Sequence, residues 1–203
     1  MDIDIIRAIN KLWLPVYPGI AKQIAGHCTK QPWHILEAGC FSGGIGLMLL
    51  RQYPQSNLTI ALEMEELAAT FSSDWQEMLD TQCADRYRVV STPLYPLTIT
   101  GQKFDLIICR GVFFFLDEKG TILSELFRLL SSGGIVFAGG GFGTYTSPEV
   151  IKQLADESRR LNYALGRKLF SRQDFELALS KAGLAEQAEV IDEGGLWVVI
   201  KKL

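Results

Sequence analysis

The sequence predicts an α/β fold: a mostly parallel sheet with helices on both faces, finished by a C-terminal antiparallel hairpin. Three observations carry this. Short apolar runs alternate with segments of helical periodicity as far as residue 138, the pattern of βα units that build a parallel sheet. A glycine cluster, from Gly39 to Gly46, follows the first apolar run and opens a helix. The last two apolar runs are joined by a turn containing Glu193-Gly194-Gly195, so they pair as a hairpin.

Residues 3–12 and 18–28 read as two helices, because Ile6, Ile9 and Trp13, and then Ile20, Ala21 and Ile24, recur at helical spacing. Pro15 and Pro18 separate them. Residues 33–38 are a buried strand, 45–53 a helix, 58–62 a second strand, 65–79 a second core helix and 87–91 a third strand. A fourth, very apolar strand at 104–109 lies between Gly101 and Gly111. The helix at 121–130 stops at Ser131-Ser132-Gly133-Gly134, and 135–138 is a fifth strand. Ser147-Pro148-Glu149 supplies an N-cap with proline at the first helical position, so a helix runs to about Tyr163. Ser171 and Asp174 form a capping box for a helix that ends at Gly183. Strands at 185–191 and 196–201 bring the total to seven. A dinucleotide-binding sheet would end on a sixth parallel strand instead.

A length of 203 residues suits one domain over 1–203, with residues 1–30 as an N-terminal helical lid segment on a core of 31–203. Hydrophobic residues make up 48% and charged residues 21%, a globular composition. The net charge of −3 argues against a nucleic-acid partner, because phosphate-binding surfaces concentrate Lys and Arg. Cys28, Cys40, Cys83 and Cys109 contain no CxxC pair and the only histidines are His27 and His34, so no metal is expected. Both histidines fall at the far end of the first strand from the glycine cluster and read as structural. The opening Met1-Asp2-Ile3-Asp4 is acidic where a signal peptide is basic. Apolar runs such as 112–116 are too short to cross a bilayer. A cytoplasmic protein with reduced thiols and no membrane partner is the expectation. Nothing in the sequence fixes an oligomeric state.

The most informative stretch is Glu37-Ala38-Gly39-Cys40-Phe41-Ser42-Gly43-Gly44. A strand ends in a carboxylate, and a glycine turn leads into a helix whose free N–H groups can meet a ligand. The spacing is not GxGxxG, since Phe41 stands where the second glycine would be. The next strand ends at Glu63, about 20 residues on, where nucleotide-binding sheets place a carboxylate for the ribose hydroxyls. The bland alternatives are a plain strand–helix turn and a carboxylate answering a helix dipole.

These residues, with the Phe104-Asp105-Leu106-Ile107-Ile108 strand and the Leu129-Leu130-Ser131-Ser132-Gly133-Gly134 turn, resemble the class I S-adenosylmethionine-dependent methyltransferases over about residues 16–145. The tail from Phe170 is similar to the way small-molecule members of that family finish. The resemblance implies a Rossmann-like sheet of seven strands, the last inserted antiparallel. It also implies S-adenosylmethionine as cofactor and S-adenosylhomocysteine as product. By resemblance, Glu37, Gly39, Cys40 and Gly43 face the methionine part and ribose. Glu63 holds the ribose hydroxyls, Met64 lies on the adenine face, and Thr92, Pro93 and Leu94 line its edge. Arg110 and Gly111 sit beneath the methionine moiety, and Tyr17 matches a lid position. Phe41 departs from the usual glycine, as catechol-type and caffeoyl-CoA-type O-methyltransferases also do. Those enzymes bind a metal through an Asp just after the fourth strand; Cys109-Arg110-Gly111 stands here, and an arginine repels a cation. Thr92-Pro93 replaces an Asp that many members aim at the adenine amino group.

Methyl transfer from a sulfonium needs proximity and orientation, and a base only when the acceptor must lose a proton. No catalytic residue is therefore assigned. Ligands of open α/β sheets lie beyond the carboxyl ends of the strands, which nominates Trp13, Phe114, Phe142 and Tyr145 for the acceptor. Arg159, Arg160, Arg167 and Lys168 form a basic cluster nearby, read either as a solvated helix face or as a seat for an anionic acceptor. The expected function is methylation of a small organic acceptor. The alternative is a non-catalytic protein of the same fold, either still binding S-adenosylmethionine or degenerate, that serves as a partner protein.

Overall fold

The computed structural model describes residues 1–203 apart from 81, 82, 84, 100, 117 and 118. Strands β1 (His34–Ala38), β2 (Asn57–Leu62), β3 (Tyr87–Ser91), β4 (Phe104–Arg110), β5 (Leu130–Gly140), β6 (Ala188–Ile191) and β7 (Leu196–Lys201) form one sheet. Its order is β3-β2-β1-β4-β5-β7-β6. The first five strands pair in parallel, and β7 runs antiparallel between β5 and β6. The order reverses between β1 and β4, the place where open α/β sheets open a crevice for ligands.

Helices cover both faces. Against one lie α1 (Ile3–Leu12), α2 (Tyr17–His27), α3 (Gly44–Gln52), α4 (Glu65–Ala69) and α5 (Phe71–Asp74), through Ile6, Ile24, Leu47, Leu67 and Phe71. Against the other lie α6 (Lys119–Leu129) and α8 (Arg172–Ala182), through Leu123, Leu126 and Phe175. The helix α7 (Pro148–Ala164) returns to the first face and seats Leu161 there. Both predicted caps form: Ser147 accepts the Val150 N–H, and Ser171 and Asp174 make a reciprocal capping box. Gly183 ends α8 at φ +68°. Among the described residues no helix is long and apolar enough to cross a membrane.

Four local expectations are corrected. Residues 65–79 do not form one helix, because Thr70 breaks it into α4 and α5. The Thr70 hydroxyl bonds the Glu66 carbonyl at 3.0 Å and the Asp74 carboxylate at 2.6 Å, a side-chain competition that loosens helices. Pro18 does not separate the first two helices but lies in the first turn of α2, where no N–H is needed. Residues 131–134 join β5 instead of forming a free turn: the Gly133 N–H donates to Lys202 and the Lys202 N–H to Gly134. Residues 185–187 are a 3₁₀ turn, so β6 begins only at Ala188.

Candidate functional site

The loop after β1 and the end of β4 meet at the switch point. Gly39 has φ +115° and Gly43 φ +132°, backbone that side chains rarely adopt. The protein's own side chains pack on both: a Cβ at Gly39 would lie 2.6 Å from Val112, and one at Gly43 2.7 Å from Trp75. Tyr17 covers Gly44 in the same way, and Phe41 packs on Gly111. Arg110, only 4% exposed, lies among these side chains. Its Nη2 donates to the Phe41 carbonyl and the Tyr17 hydroxyl, each at 3.2 Å, and to the Asn10 side chain at 3.3 Å. Its guanidinium stands 4.7, 5.2 and 5.3 Å from the rings of Trp13, Tyr17 and Phe41. Its Nε is buried without a partner. A cation in an aromatic box replaces part of its lost hydration with the negative ring faces.

Two carboxylates end adjacent strands. Glu37 is fully buried, and its Oε2 accepts the Gly46 N–H at 2.8 Å, while Oε1 has no hydrogen-bond partner among the described residues. Burial pushes its pKa up to about 7, against the N–H groups at the start of α3 and the charge of Arg110. Glu63, half-buried just past β2, likewise keeps Oε2 buried and bare. Burial raises its pKa too, opposed by the Leu94 N–H. Both bare oxygens are acceptors waiting for donors, which suits a hydroxyl-rich, amine-bearing cofactor. Thr92 follows β3 but turns its hydroxyl back onto Thr98, at 2.8 Å. Pro93 is exposed and Leu94 buried. Met64 is half-buried at the N-cap of α4. A cavity of about 220 Å³ opens beside the loop, lined by Asn10, Cys40, Ser42, Leu62, Trp75 and Met78 among others.

A second cavity of about 320 Å³ opens past the ends of β4 and β5. Trp13 and Phe142 stack at 4.9 Å and 9° on its wall. The Trp13 indole N–H donates to the Ser158 hydroxyl of α7 at 3.0 Å, and Asn162 donates to the Ser158 carbonyl. Phe114, in the 3₁₀ turn Val112–Phe114, meets Phe170 edge-on at 6.0 Å. Gly140, Gly141, Arg159 and Arg167 complete the cavity with other lining residues.

Of the residues singled out from sequence, the structure gathers Tyr17, Glu37, Gly39, Cys40, Phe41, Gly43, Arg110 and Gly111 around the switch point, with Glu63 at the next strand end. Trp13, Phe114 and Phe142 line the second cavity together. Tyr145 is not with them: it is 54% exposed, beneath Lys22. Asn10, Trp75, Ser158 and Asn162 went unnoticed in the sequence, since each is a lone residue inside a helical or turn pattern with no motif around it. Among the described residues no group of three or more His, Cys, Asp or Glu comes together in a way that could hold a metal.

Residues 36–138 match the methyltransferase domain family. A malonyl-[acyl-carrier protein] O-methyltransferase from Ilyobacter polytropus is 25% identical over 142 residues, 70% of this chain and 50% of that protein. Its counterpart from a Paenibacillus species is 28% identical over 158 residues, 74% of this chain and 55% of that one. The chain thus spans about half the length of the curated relatives it matches. A solved structure described as an S-adenosyl-L-methionine-dependent methyltransferase from Methanococcus maripaludis superposes with a TM-score of 0.79 at 26% identity, over 98% of this chain and 91% of that one. PigF with S-adenosylhomocysteine shares the fold, at TM-score 0.69 and 20% identity, over 99% of this chain and 58% of that one.

Proposed function

The chain belongs to the methyltransferase domain family, and from that membership we propose that it transfers a methyl group from S-adenosylmethionine to a small organic acceptor. The observation that carries the reading is the pair of bare, buried carboxylate oxygens of Glu37 and Glu63 at neighbouring strand ends. Leaving a buried acceptor unpaired costs about 1–3 kcal/mol, and more for a charged group. A cofactor with an amino group and two ribose hydroxyls removes that cost. Glu63 would take the ribose hydroxyls, with Met64 on the adenine face and Thr92, Pro93 and Leu94 at its edge. Glu37, Gly39, Cys40, Phe41, Gly43, Arg110 and Gly111 would surround the methionine end. Residues 1–30 would act as a lid, carrying Tyr17 over the loop.

When bound, S-adenosylmethionine supplies a methyl group already activated on a sulfonium. The chain's own work is then orientation and exclusion of water. Trp13, Phe114 and Phe142 would hold an acceptor past the ends of β4 and β5. The Tyr17 hydroxyl, pushed up to about 12 by burial, holds its proton at neutral pH and serves as a bond partner for Arg110.

One observation favours a second reading, a non-catalytic binder: Val112, Trp75 and Tyr17 already pack on the glycine loop. Titration calorimetry with S-adenosylmethionine and S-adenosylhomocysteine separates the two, with NAD as control and Glu63→Ala alongside. Micromolar binding of the first two, lost in the variant, followed by release of S-adenosylhomocysteine in the presence of an acceptor, is the expected outcome. Malonyl thioesters belong in that acceptor panel, given the activity named for the relatives. Binding without turnover on any acceptor would favour the partner-protein reading. Absence of binding by folded protein would sink the methyl-transfer reading and leave a degenerate partner protein of the same fold.

A further inference from the structure

Resting on the methyltransferase reading above, we infer that the cavity past β4 and β5 takes an acceptor with a flat apolar body and an anionic group held by Arg159 and Arg167. The body is set by the walls. Trp13 and Phe142 stack face to face, Phe114 and Phe170 meet edge-on, and all four rings line the cavity. Gly140 and Gly141 contribute backbone without side chains between them. A Cβ at Gly140 would lie 2.4 Å from the Phe114 ring, so the seat of that ring depends on the glycine.

The charge is set by what lines the cavity. Among the described residues, Arg159 and Arg167 are the only charged ones that line it, and no Asp or Glu does. Arg167 lies with its guanidinium 4.3 Å from the Phe114 ring centre. Burial and the like charge of Arg159 make its cation less favourable. Among the described residues Arg159 pairs with Asp156 alone, at 3.3 Å between side chains that are 64% and 94% exposed, and such a pair contributes little. The neighbouring Arg160 differs. It is held by both oxygens of Glu157 and does not line the cavity. Two neighbouring cations above an apolar wall, with no carboxylate among the described lining residues, form an anion-attracting field. Trp13 and Gly111 line the same cavity, and Trp13 also lies against Arg110. The anion is therefore a handle for the two arginines, and the acceptor's body lies against the aromatic rings.

Matched probes test this on the intact chain: 2-naphthoate and its neutral isostere 2-naphthamide, titrated by ligand-observed NMR. The parent should bind the carboxylate about tenfold more tightly than the amide, the scale of a charge-assisted bond. Arg159→Gln and Arg167→Gln should each erase most of that preference, and Arg160→Gln should keep it. Equal binding of the two probes, failure of both to bind, or a preference that survives the first two variants would overturn the proposal. Titrating S-adenosylmethionine into the same proteins keeps the two readings separable. Cofactor affinity retained in Arg159→Gln and Arg167→Gln assigns their defect to this cavity. A parent that prefers the carboxylate yet ignores the cofactor would leave the anion site standing and remove the methyltransferase reading.

Discussion

Arg110 and Trp13 lie face to face, the guanidinium 4.7 Å from the indole centre, while the same indole stacks on Phe142 at 4.9 Å. One comes from the end of β4 and the other caps α1. Through this contact the glycine loop, the N-terminal helices and the second cavity share one packed unit. A shift of α1 would therefore be felt at both sites.

Arg110→Ala should loosen that unit. It removes a buried cation that touches three aromatic rings and bonds Phe41, Tyr17 and Asn10. The expected destabilisation is about 2–4 kcal/mol, with hydrogen exchange rising first in Ile3–Leu12 and Tyr17–His27. Unchanged protection there would mean that the apolar contacts of Ile6, Ile9, Ile20 and Ile24 hold the helices without it.

Glu37→Gln should flatten the pH dependence of stability. Burial holds the Glu37 carboxyl at about 7 against an ordinary 4.5, so the folded state binds the proton more tightly than the unfolded state. Stability is then highest below the ordinary value, falls as pH rises through this window, and levels off above it. The loss is about 3 kcal/mol at most. Glu63 is raised by burial as well and contributes in the same direction. Urea unfolding across pH 4.5 to 8 should show a shallower decline in the variant; parallel curves would contradict the assignment.

Gly43→Ala tests the packing over the loop. It places a Cβ 2.7 Å from Trp75 and 2.9 Å from Phe71, at φ +132°. A cost of about 2–4 kcal/mol follows from strain and overpacking together. Adding Trp75→Ala should relieve the steric part, so the double variant should be less destabilised than the two single changes predict. Strict additivity would place Trp75 elsewhere in solution.

Ser171→Ala should cost about 1 kcal/mol, the worth of an N-cap, because it removes the hydroxyl that accepts the Asp174 N–H while leaving the Ser171 N–H to donate to the Asp174 carboxylate. Thermal unfolding reads this directly. No change in midpoint would mean that α8 is held by Phe175 and Leu179 alone.

Much of the fold was legible because its signals are local. Caps at Ser147 and Ser171, the helix stop at Gly183, and the acidic ends of β1 and β2 each depend on a few neighbouring residues, and all stand where the pattern put them. Thr70 shows the limit. Its segment carries helical periodicity, but its hydroxyl meets Asp74 and Arg7, and the Arg7 partner comes from 63 residues away. The Thr92 hydroxyl turned to Thr98 and the Tyr145 ring left in solvent are similar cases.

Local chemistry thus specified the order of strands and helices, the glycine loop at the switch point and the carboxylates beside it. Folding alone assembled the aromatic box around Arg110, the packing of Trp75 on Gly43, and the cavity that joins Trp13 of the first helix to Arg167 beyond α7. The physical reason is range. Hydrogen-bonded caps and periodic burial act within a turn or two of chain. Desolvation and close packing depend on which distant residues arrive together, and no window of sequence contains them.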